Sequence, residues 1–173
     1  MYSKLALVVL VVAAVLVAVA PAGAAGARGT RAHPYPVRTT VLLPKGHGWK
    51  LRVNGSIPNG TRLVLAVSKH NFPPPTGEQY YLINVTMTYT GRGVDSPFSA
   101  FELTSVGRTG LTYTSVNDDC GTPPRALDDF KKVRSGGNIT GNVCFRVRQQ
   151  DARGLLLKAV PTASQAAVFF RLQ

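Results

Sequence analysis

Acidic side chains are scarce in this chain: eight Asp and Glu stand against 20 Lys and Arg, and the formal net charge is +12. A positive surface attracts anionic partners, which include nucleic acid and the anionic polymers of a cell envelope. The basic residues are scattered, however, and their tightest group is Lys131, Lys132 and Arg134. Because this group is too short for a nucleic-acid-binding arm, the charge indicates a solvated cationic surface and does not favour nucleic acid as a partner.

Motifs for catalysis and metal binding are also lacking. The histidines, His33, His47 and His70, form no HExxH or HxH arrangement, and the sequence has no GxSxG elbow, no P-loop and no GxGxxG between a strand and a helix. The acidic pair Asp118 and Asp119 lacks the DxDxDG pattern, so it predicts a polar turn rather than a calcium site. We therefore expect no enzymatic activity, no catalytic residue, no metal and no cofactor.

Cysteine is limited to Cys120 and Cys144. If the chain is exported, an even, minimal count predicts a single disulfide, since an oxidising compartment favours the bond and no histidine lies at zinc-ligand spacing. Closing the loop of about 25 residues between the two cysteines contributes roughly 3 kcal/mol to stability, mainly by restricting the unfolded chain. Most of the stability must therefore come from hydrophobic burial.

A long apolar run occurs only at the N-terminus, where Lys4 precedes an apolar stretch from Leu5 to Ala20 and a small-residue string that ends at Ala27. This order is typical of a signal peptide, so residues 1–27 are predicted to direct the protein out of the cell and to be removed. The stretch is shorter than the ~20 residues that cross a bilayer. The alternative is a membrane-anchored protein that keeps this segment.

Beyond residue 27 the pattern changes twice. Residues 28–47 contain three prolines among scattered basic residues, which predicts a flexible linker or, at Thr40–Leu43, an edge strand. From Gly48 onward, apolar side chains alternate with polar ones, which is the period of a strand with one face in a core. The predicted strands are Trp49–Val53, Leu63–Val67, Tyr81–Tyr89, Phe101–Val106, Leu111–Val116, Val143–Val147, Leu155–Val160 and Ala167–Leu172.

These strands predict an all-β protein. A sustained helical period is lacking after Gly48, and only Arg125–Val133, with apolar side chains at every third residue, predicts one or two turns of helix. Seven to eight short strands favour two antiparallel sheets packed face to face, in a single immunoglobulin-like β-sandwich over residues 48–173. A barrel is the structural alternative.

The alternation also predicts where the disulfide lies. If Val143, Phe145 and Val147 face the core, Cys144 points outward, and its bond to Cys120 holds the loop of residues 117–137 against the outer surface of a sheet. That loop contains half of the eight acidic residues.

The most unusual surface segment runs from His70 through Phe72 to Pro73, Pro74 and Pro75. Three consecutive prolines stiffen an extended backbone, which then loses little entropy when it binds a partner. We therefore predict a contact loop here, with Phe72 as its apolar anchor. The alternative is that the prolines only protect a strand edge.

Three segments resemble a known family. They are Trp49–Val53 (WKLRV), Gly77–Thr90 (GEQYYLINVTMTYT) and Val133–Val147 (VRSGGNITGNVCFRV). Their alternation and glycines are similar to those of small immunoglobulin-like domains of unknown function in secreted proteins and lipoproteins of Gram-positive bacteria, which are related in fold to the mycobacterial immunoprotective extracellular antigen. The resemblance covers roughly residues 48–160 and implies an antiparallel β-sandwich and export, without catalytic residues.

Together, these observations predict a secreted, non-enzymatic binding or interaction module that acts through loops at one end of the sandwich. An anionic cell-envelope polymer or another exported protein is the expected partner. One alternative is a cryptic metal-dependent or hydrolytic enzyme, which would need a deep pocket lined by His47, His70 and an Asp. The other is a passive structural domain of the envelope.

Overall fold

Two antiparallel sheets packed face to face form the body of the protein. The computed structural model describes residues 27–45, 47–115, 118–164 and 166–173. The predicted signal peptide, apart from Ala27, lies outside the described residues. In chain order the elements are β1 (Thr40–Leu42), β2 (Trp49–Ile57), α1 (Thr61–Leu65), β3 (Glu78–Tyr89), β4 (Val94–Asp95), α2 (Pro97–Ala100), β5 (Phe101–Val106), β6 (Thr112–Thr114), β7 (Val133–Arg134), β8 (Asn138–Arg148), α3 (Gln149–Ala152), β9 (Leu156–Pro161) and β10 (Val168–Arg171).

The first sheet has the strand order β1-β2-β3-β8 and the second has the order β10-β9-β5-β6. Every neighbouring pair is antiparallel, and the longest ladder runs from Glu78 opposite Arg148 to Thr88 opposite Asn138. Strands β4 and β7 add a two-stranded ribbon. The antiparallel β-sandwich predicted from the alternation is therefore confirmed, and its two sheets contain eight strands within the described part of the chain.

The core lies between the sheets, where alternate strand residues meet. On β2, Trp49, Leu51 and Val53 are fully buried, whereas Arg52, between Leu51 and Val53, is exposed. The Trp49 ring lies 5.1 Å from the ring of Tyr89 and 6.4 Å from that of Phe101 on the other sheet, measured between centroids. Because burial of each Leu, Ile, Val or Phe side chain contributes about 1.5–3 kcal/mol, this inner layer is the main source of stability.

The disulfide between Cys120 and Cys144 is confirmed, with the two Cα atoms 5.9 Å apart. Cys144 lies opposite Leu82 on the outer face of the first sheet, as the alternation of β8 predicts. Cys120 is buried there in a second, smaller apolar cluster with Val64, Tyr80 and Leu82. The bond thus fastens a loop to the outside of the sandwich and does not cross its core.

The segment Leu63–Val67 is not the strand that the sequence predicts. Most of it belongs to the short helix α1, which lies on the outer face of the first sheet and buries Val64 against Tyr80 and Leu82. The prediction is wrong because every residue from 63 to 67 is apolar. Such a run carries no clear period of two, and periodicity cannot distinguish it from a buried helical turn.

Arg125–Val133 forms no helix, so that prediction is also wrong. The N–H of Leu127 donates to the carbonyl of Asn142 on β8 (3.0 Å), and the N–H of Asn142 donates to the carbonyl of Arg125 (2.8 Å). Because a neighbouring strand binds these backbone groups, they cannot form the i to i−4 bonds of a helix. Among the residues described, the structure contains no helix long and apolar enough to span a bilayer.

The segment before β2 contacts both sheets. Strand β1 pairs with β2 at the edge of the first sheet. Further upstream, the N–H of Tyr35 donates to the carbonyl of Phe169, and the N–H of Arg171 donates to the carbonyl of Tyr35. The N–H of Phe169 donates to the carbonyl of Gly29. Residues 29–35 therefore run along the outer edge of β10.

Candidate ligand-binding site

A cavity of about 430 Å³ opens between the two sheets, on the side where β5 and β8 lie. Its buried walls include the core side chains Met87, Phe101 and Phe145. Cavities of roughly 300–1,000 Å³ with mainly apolar walls are typical of small-molecule sites. This cavity is the strongest candidate for a functional site in the described part of the molecule.

The cavity exists because β6 is too short to cover the edge of β5. Strand β6 pairs only with Thr104–Val106, whereas β5 begins at Phe101. At Ser115, which lines the cavity, the chain has left the sheet. Within the described residues, Phe101–Leu103 therefore have no neighbouring strand on the β6 side, and the space beside them remains accessible.

A long connection closes the other side of the cavity. This segment, which we call the edge loop (residues 118–132), follows the free edge of β8. The N–H of Arg146 donates to the carbonyl of Asp118 (2.9 Å), and Leu127 bonds to Asn142 as described above. A Cβ atom at Gly141 would lie 2.5 Å from the Cα of Leu127. Only glycine at position 141 permits this approach, because any side chain there would displace the loop backbone.

The disulfide fixes the start of the edge loop. Cys144 lines the cavity, as do Asp119 and Gly121 on either side of Cys120. The Asp119 carboxylate accepts a hydrogen bond from the N–H of Gly121 (2.9 Å), and such a bond stabilises a turn. The predicted disulfide thus positions one wall of the site, which sequence reasoning did not anticipate.

Two exposed aromatic rings lie beside the cavity. Phe98 of α2 lines the cavity and stacks on Phe130 of the edge loop, with ring centroids 4.3 Å apart and an interplanar angle of 28°. The N–H of Phe98 donates to the carbonyl of Asp129 (3.0 Å), which holds the two segments together. Although stacked, the rings remain 58% and 65% exposed. Exposed apolar side chains in a cluster often mark a binding surface.

The charges at the cavity are all negative. Glu102, Asp119 and Asp129 line it, and its lining contains no Lys, Arg or His in the described residues. Burial, together with the neighbouring carboxylate of Asp128, raises the pKa of Asp129 above its ordinary value. The site is therefore locally acidic, although the chain as a whole has a formal net charge of +12.

The predicted contact loop lies outside this cavity. Phe72 is 75% exposed, and its carbonyl accepts a hydrogen bond from the hydroxyl of Tyr80 (2.6 Å). The side chain of Asn71 bonds to the carbonyls of Val64 (2.7 Å) and Thr122 (2.8 Å) and also accepts from the N–H of Thr122. The loop is thus tied to α1 and to the edge loop. The remaining predicted contact residues, His70 and Pro73–Pro75, do not line the cavity.

The histidines do not line the cavity either. His47 lies 3.9 Å from the carboxylate of Asp95, which also accepts hydrogen bonds from the indole of Trp49 (3.0 Å) and the hydroxyl of Ser99 (2.7 Å). Burial alone would raise the pKa of Asp95, but these bonds outweigh it and hold the pKa below its ordinary value. In a nucleophilic triad the histidine lies between the hydroxyl and the carboxylate. Here the carboxylate lies between the other two groups.

No metal site emerges from the described residues either, since they contain no group of three potential His, Cys, Asp or Glu ligands. The carboxylate of Asp118 accepts a hydrogen bond from the N–H of Thr114 (2.9 Å). Together with the Asp119 bond to Gly121, this contact gives both members of the acidic pair a role in the backbone turn that opens the edge loop.

Sequence reasoning missed the cavity and one buried carboxylate. Phe98 and Phe130 lie outside the predicted strands, and isolated aromatic residues in connecting segments are the signal that could have indicated an exposed apolar site. Asp151 is fully buried and accepts hydrogen bonds from Thr109 and Tyr113. No local pattern marks it, because its partners come from a distant hairpin.

Comparison with known proteins supports the fold. No protein-family model matches the chain, and no curated protein matches it. The secreted protein MPT63 of Mycobacterium tuberculosis superposes with a TM-score of 0.52 at 13% identity, over 81% of this chain and 98% of that one. An uncharacterized β-sandwich protein of Clostridium difficile 630 gives 0.46 at 7% identity, over 81% and 95% of the two chains. A conserved hypothetical protein of Bacillus anthracis gives 0.46 at 10% identity, over 80% and 95%. The likeness to MPT63 agrees with the fold that the sequence resemblance implies.

Proposed function

We propose that this protein is a secreted binding module that takes a small, mainly apolar ligand into the cavity beside the edge loop. The observation that carries the proposal is the cavity itself, about 430 Å³ in volume and bordered by the exposed Phe98 and Phe130 rings. An apolar ligand would gain by covering these rings and by contacting Phe101 and Met87 behind them.

Export is supported by two features of the chain. The N-terminal residues have the order of a signal peptide, and the disulfide is of a kind that persists in oxidising compartments. The binding role is proposed to be non-enzymatic. In support, the charged groups that line the cavity in the described residues are carboxylates, without a histidine beside a hydroxyl or thiol.

A neutral fluorescent dye tests the proposal. The emission of N-phenyl-1-naphthylamine rises in apolar surroundings, so we expect a saturable increase with the exported protein. Ala126→Trp should abolish this increase, since Ala126 lines the cavity and is exposed enough to accept a larger side chain. Ala32→Trp, at an exposed position that does not line the cavity, is the matched control and should bind the dye normally. Equal dye binding by both variants would refute the proposal.

A second candidate function is attachment to another exported protein through the loop around Phe72. It is favoured by one observation: Phe72 is the most exposed of the large apolar side chains described, yet Tyr80 and Asn71 hold its loop in place. A preorganised apolar anchor loses little entropy on binding. A photocrosslinking residue at position 72 should capture a specific protein in the culture medium, and the same residue at Thr76 should capture less of it. Equal capture at both positions would argue against this function.

A further inference from the structure

The distribution of charge around the cavity is opposite to that of the chain. The protein has 20 basic and eight acidic residues, but three of the acidic ones, Glu102, Asp119 and Asp129, line this one cavity. Its lining contains no basic residue among those described. Within the described part of the chain, the charged residues of the lining are therefore all acidic.

Among the described residues, no ion pair is found to the carboxylates of Glu102, Asp119 and Asp129. The two ion pairs found there join Arg146 to Glu78 (3.1 Å) and His47 to Asp95 (3.9 Å), and neither involves a carboxylate of the cavity. Asp129 is half-buried beside Asp128, and burial raises its pKa. A cation placed in the cavity would replace part of the hydration that this carboxylate has lost.

The aromatic rings favour the same kind of ligand. The faces of aromatic rings attract cations, and quaternary ammonium groups are recognised in this way. Phe98 and Phe130 are exposed beside the cavity, and Asp129 adjoins Phe130 in the chain. Aromatic faces and a carboxylate in one place provide complementary contacts for an organic ammonium group, whereas an anionic ligand would be repelled.

The overall positive charge of the protein does not reverse this preference. At physiological ionic strength, charges separated by more than about 8 Å are largely screened. Lys131 and Lys132 belong to the edge loop but do not line the cavity, whereas Glu102, Asp119 and Asp129 do. We expect the residues of the lining to have the larger effect on a ligand inside it, because they are nearer to it.

We infer that the cavity is selective for an organic cation, namely an amine or quaternary ammonium group attached to an apolar body. The ammonium group would lie near Glu102 and Asp129, and the apolar body among Phe98, Phe101 and Leu103. The inference rests on the proposed binding function and adds the chemical class of the ligand to it.

Three probes with ten-carbon chains test the inference: decyltrimethylammonium, 1-decanol and decanoate, each below its micelle concentration. Each would compete with N-phenyl-1-naphthylamine for the exported protein at about 0.15 M ionic strength, where charges more than about 8 Å apart are largely screened. Decyltrimethylammonium should bind at least about tenfold more tightly than decanoate, with decanol between them. The preference should become smaller as salt is added.

Charge-removing variants assign this preference to the cavity. Glu102→Gln and Asp129→Asn, singly and together, should lower the affinity for decyltrimethylammonium and leave that for decanol unchanged. Glu78→Gln is the control outside the cavity lining; it removes the same charge, together with the ion pair to Arg146, and should change the affinity for decyltrimethylammonium less than Glu102→Gln does. If the double variant fails to fold, Glu102→Gln alone decides the matter, since Glu102 is exposed.

The two proposals fail in different ways. Equal or tighter binding of decanoate would overturn the inference, and so would a preference for the cation that survives the double variant. In either case, dye binding would still support the proposed function. Lack of binding by the dye and by all three probes would overturn the proposed function, and the inference with it.

Discussion

The hydroxyl of Tyr113 donates a hydrogen bond of 2.6 Å to the carboxylate of Asp151, which is fully buried. Thr109 donates two more bonds to the same carboxylate, from its N–H (2.7 Å) and its hydroxyl (2.8 Å). A Cβ atom at Gly107 would lie 2.4 Å from the Cγ of Asp151, so glycine is required where the hairpin passes the carboxylate. This cluster fastens the β5–β6 hairpin to α3.

Asp151→Asn should destabilise the fold by about 2–3 kcal/mol, because the amide nitrogen would face donors and leave buried hydrogen bonds unmade. Tyr113→Phe removes one of the three bonds and keeps the ring, so we expect a smaller loss, about 1 kcal/mol. Urea unfolding followed by the fluorescence of the single tryptophan, Trp49, measures both. Midpoints equal to that of the unaltered protein would show that the cluster contributes nothing.

The same cluster predicts how stability depends on pH. Burial alone would raise the pKa of Asp151, but the hydrogen bonds from Tyr113 and Thr109 outweigh it and hold the pKa below its ordinary value of 3.8. The stabilisation from Asp151 is therefore complete above about pH 4 and is lost as the pH falls through the lowered pKa. Urea midpoints measured between neutral and acid pH should fall for the unaltered protein, and less steeply for Asp151→Asn.

At alkaline pH, stability should instead fall as the pH rises. Burial, followed by the bond to Asp151, raises the pKa of Tyr113 from 10.0 to about 12. Its neutral form is thus favoured in the folded state, and this contribution is complete below pH 10.0 and lost as the pH rises towards 12. The urea midpoint should fall in this range, and Tyr113→Phe should reduce the fall. Burial also raises the pKa of Tyr80 and Tyr81, so the variant should not remove the fall entirely. Parallel alkaline curves for the two proteins would contradict the assignment.

Gly141→Ala should displace the edge loop, because the added methyl group would meet the backbone of Leu127 at 2.5 Å. We expect a loss of about 1–3 kcal/mol of stability, as for other overpacked sites, and weaker dye binding in the cavity. Gly55→Ala is the matched control, since a Cβ atom there meets nothing within 4 Å. If both variants bind the dye equally well, the loop contact is not what shapes the cavity.

Replacing both cysteines by serine should cost about 3 kcal/mol of stability. Dye affinity should fall with it, since the residues beside Cys120 lose their attachment to a cavity wall. We expect the affinity to fall but not to vanish, because the bond between Leu127 and Asn142 still holds the middle of the edge loop. Titration of the dye into the intact and the variant protein measures this, and unchanged affinity would show that the disulfide does not support the site.

Most of the sandwich could be predicted from the sequence because apolar and polar residues alternate over much of β2, β3 and β8. On β3, every second residue from Tyr81 to Tyr89 is buried, and this period also placed Cys144 on the outer face. Residues 63–67 were mispredicted because they are uniformly apolar, and periodicity needs both polar and apolar positions.

The cavity could not be predicted because it depends on long-range geometry. It requires that β6 stop at Thr114, that the edge loop bond to Asn142, and that Phe98 meet Phe130 from a distant part of the chain. Each of these contacts joins segments that have no shared sequence pattern. The helix predicted at Arg125–Val133 failed for the same reason, since tertiary bonds to β8 replaced local ones.

The N-terminal segment along β10 has a consequence for how the protein behaves in solution. The bonds from Tyr35 and Gly29 occupy main-chain groups of Phe169 and Arg171 that would otherwise face water at the margin of the second sheet. Uncovered strand margins recruit other chains and lead to aggregation. Proteolytic removal of the segment that ends at Tyr35 should therefore leave the outer margin of β10 uncovered and make the protein more prone to aggregate.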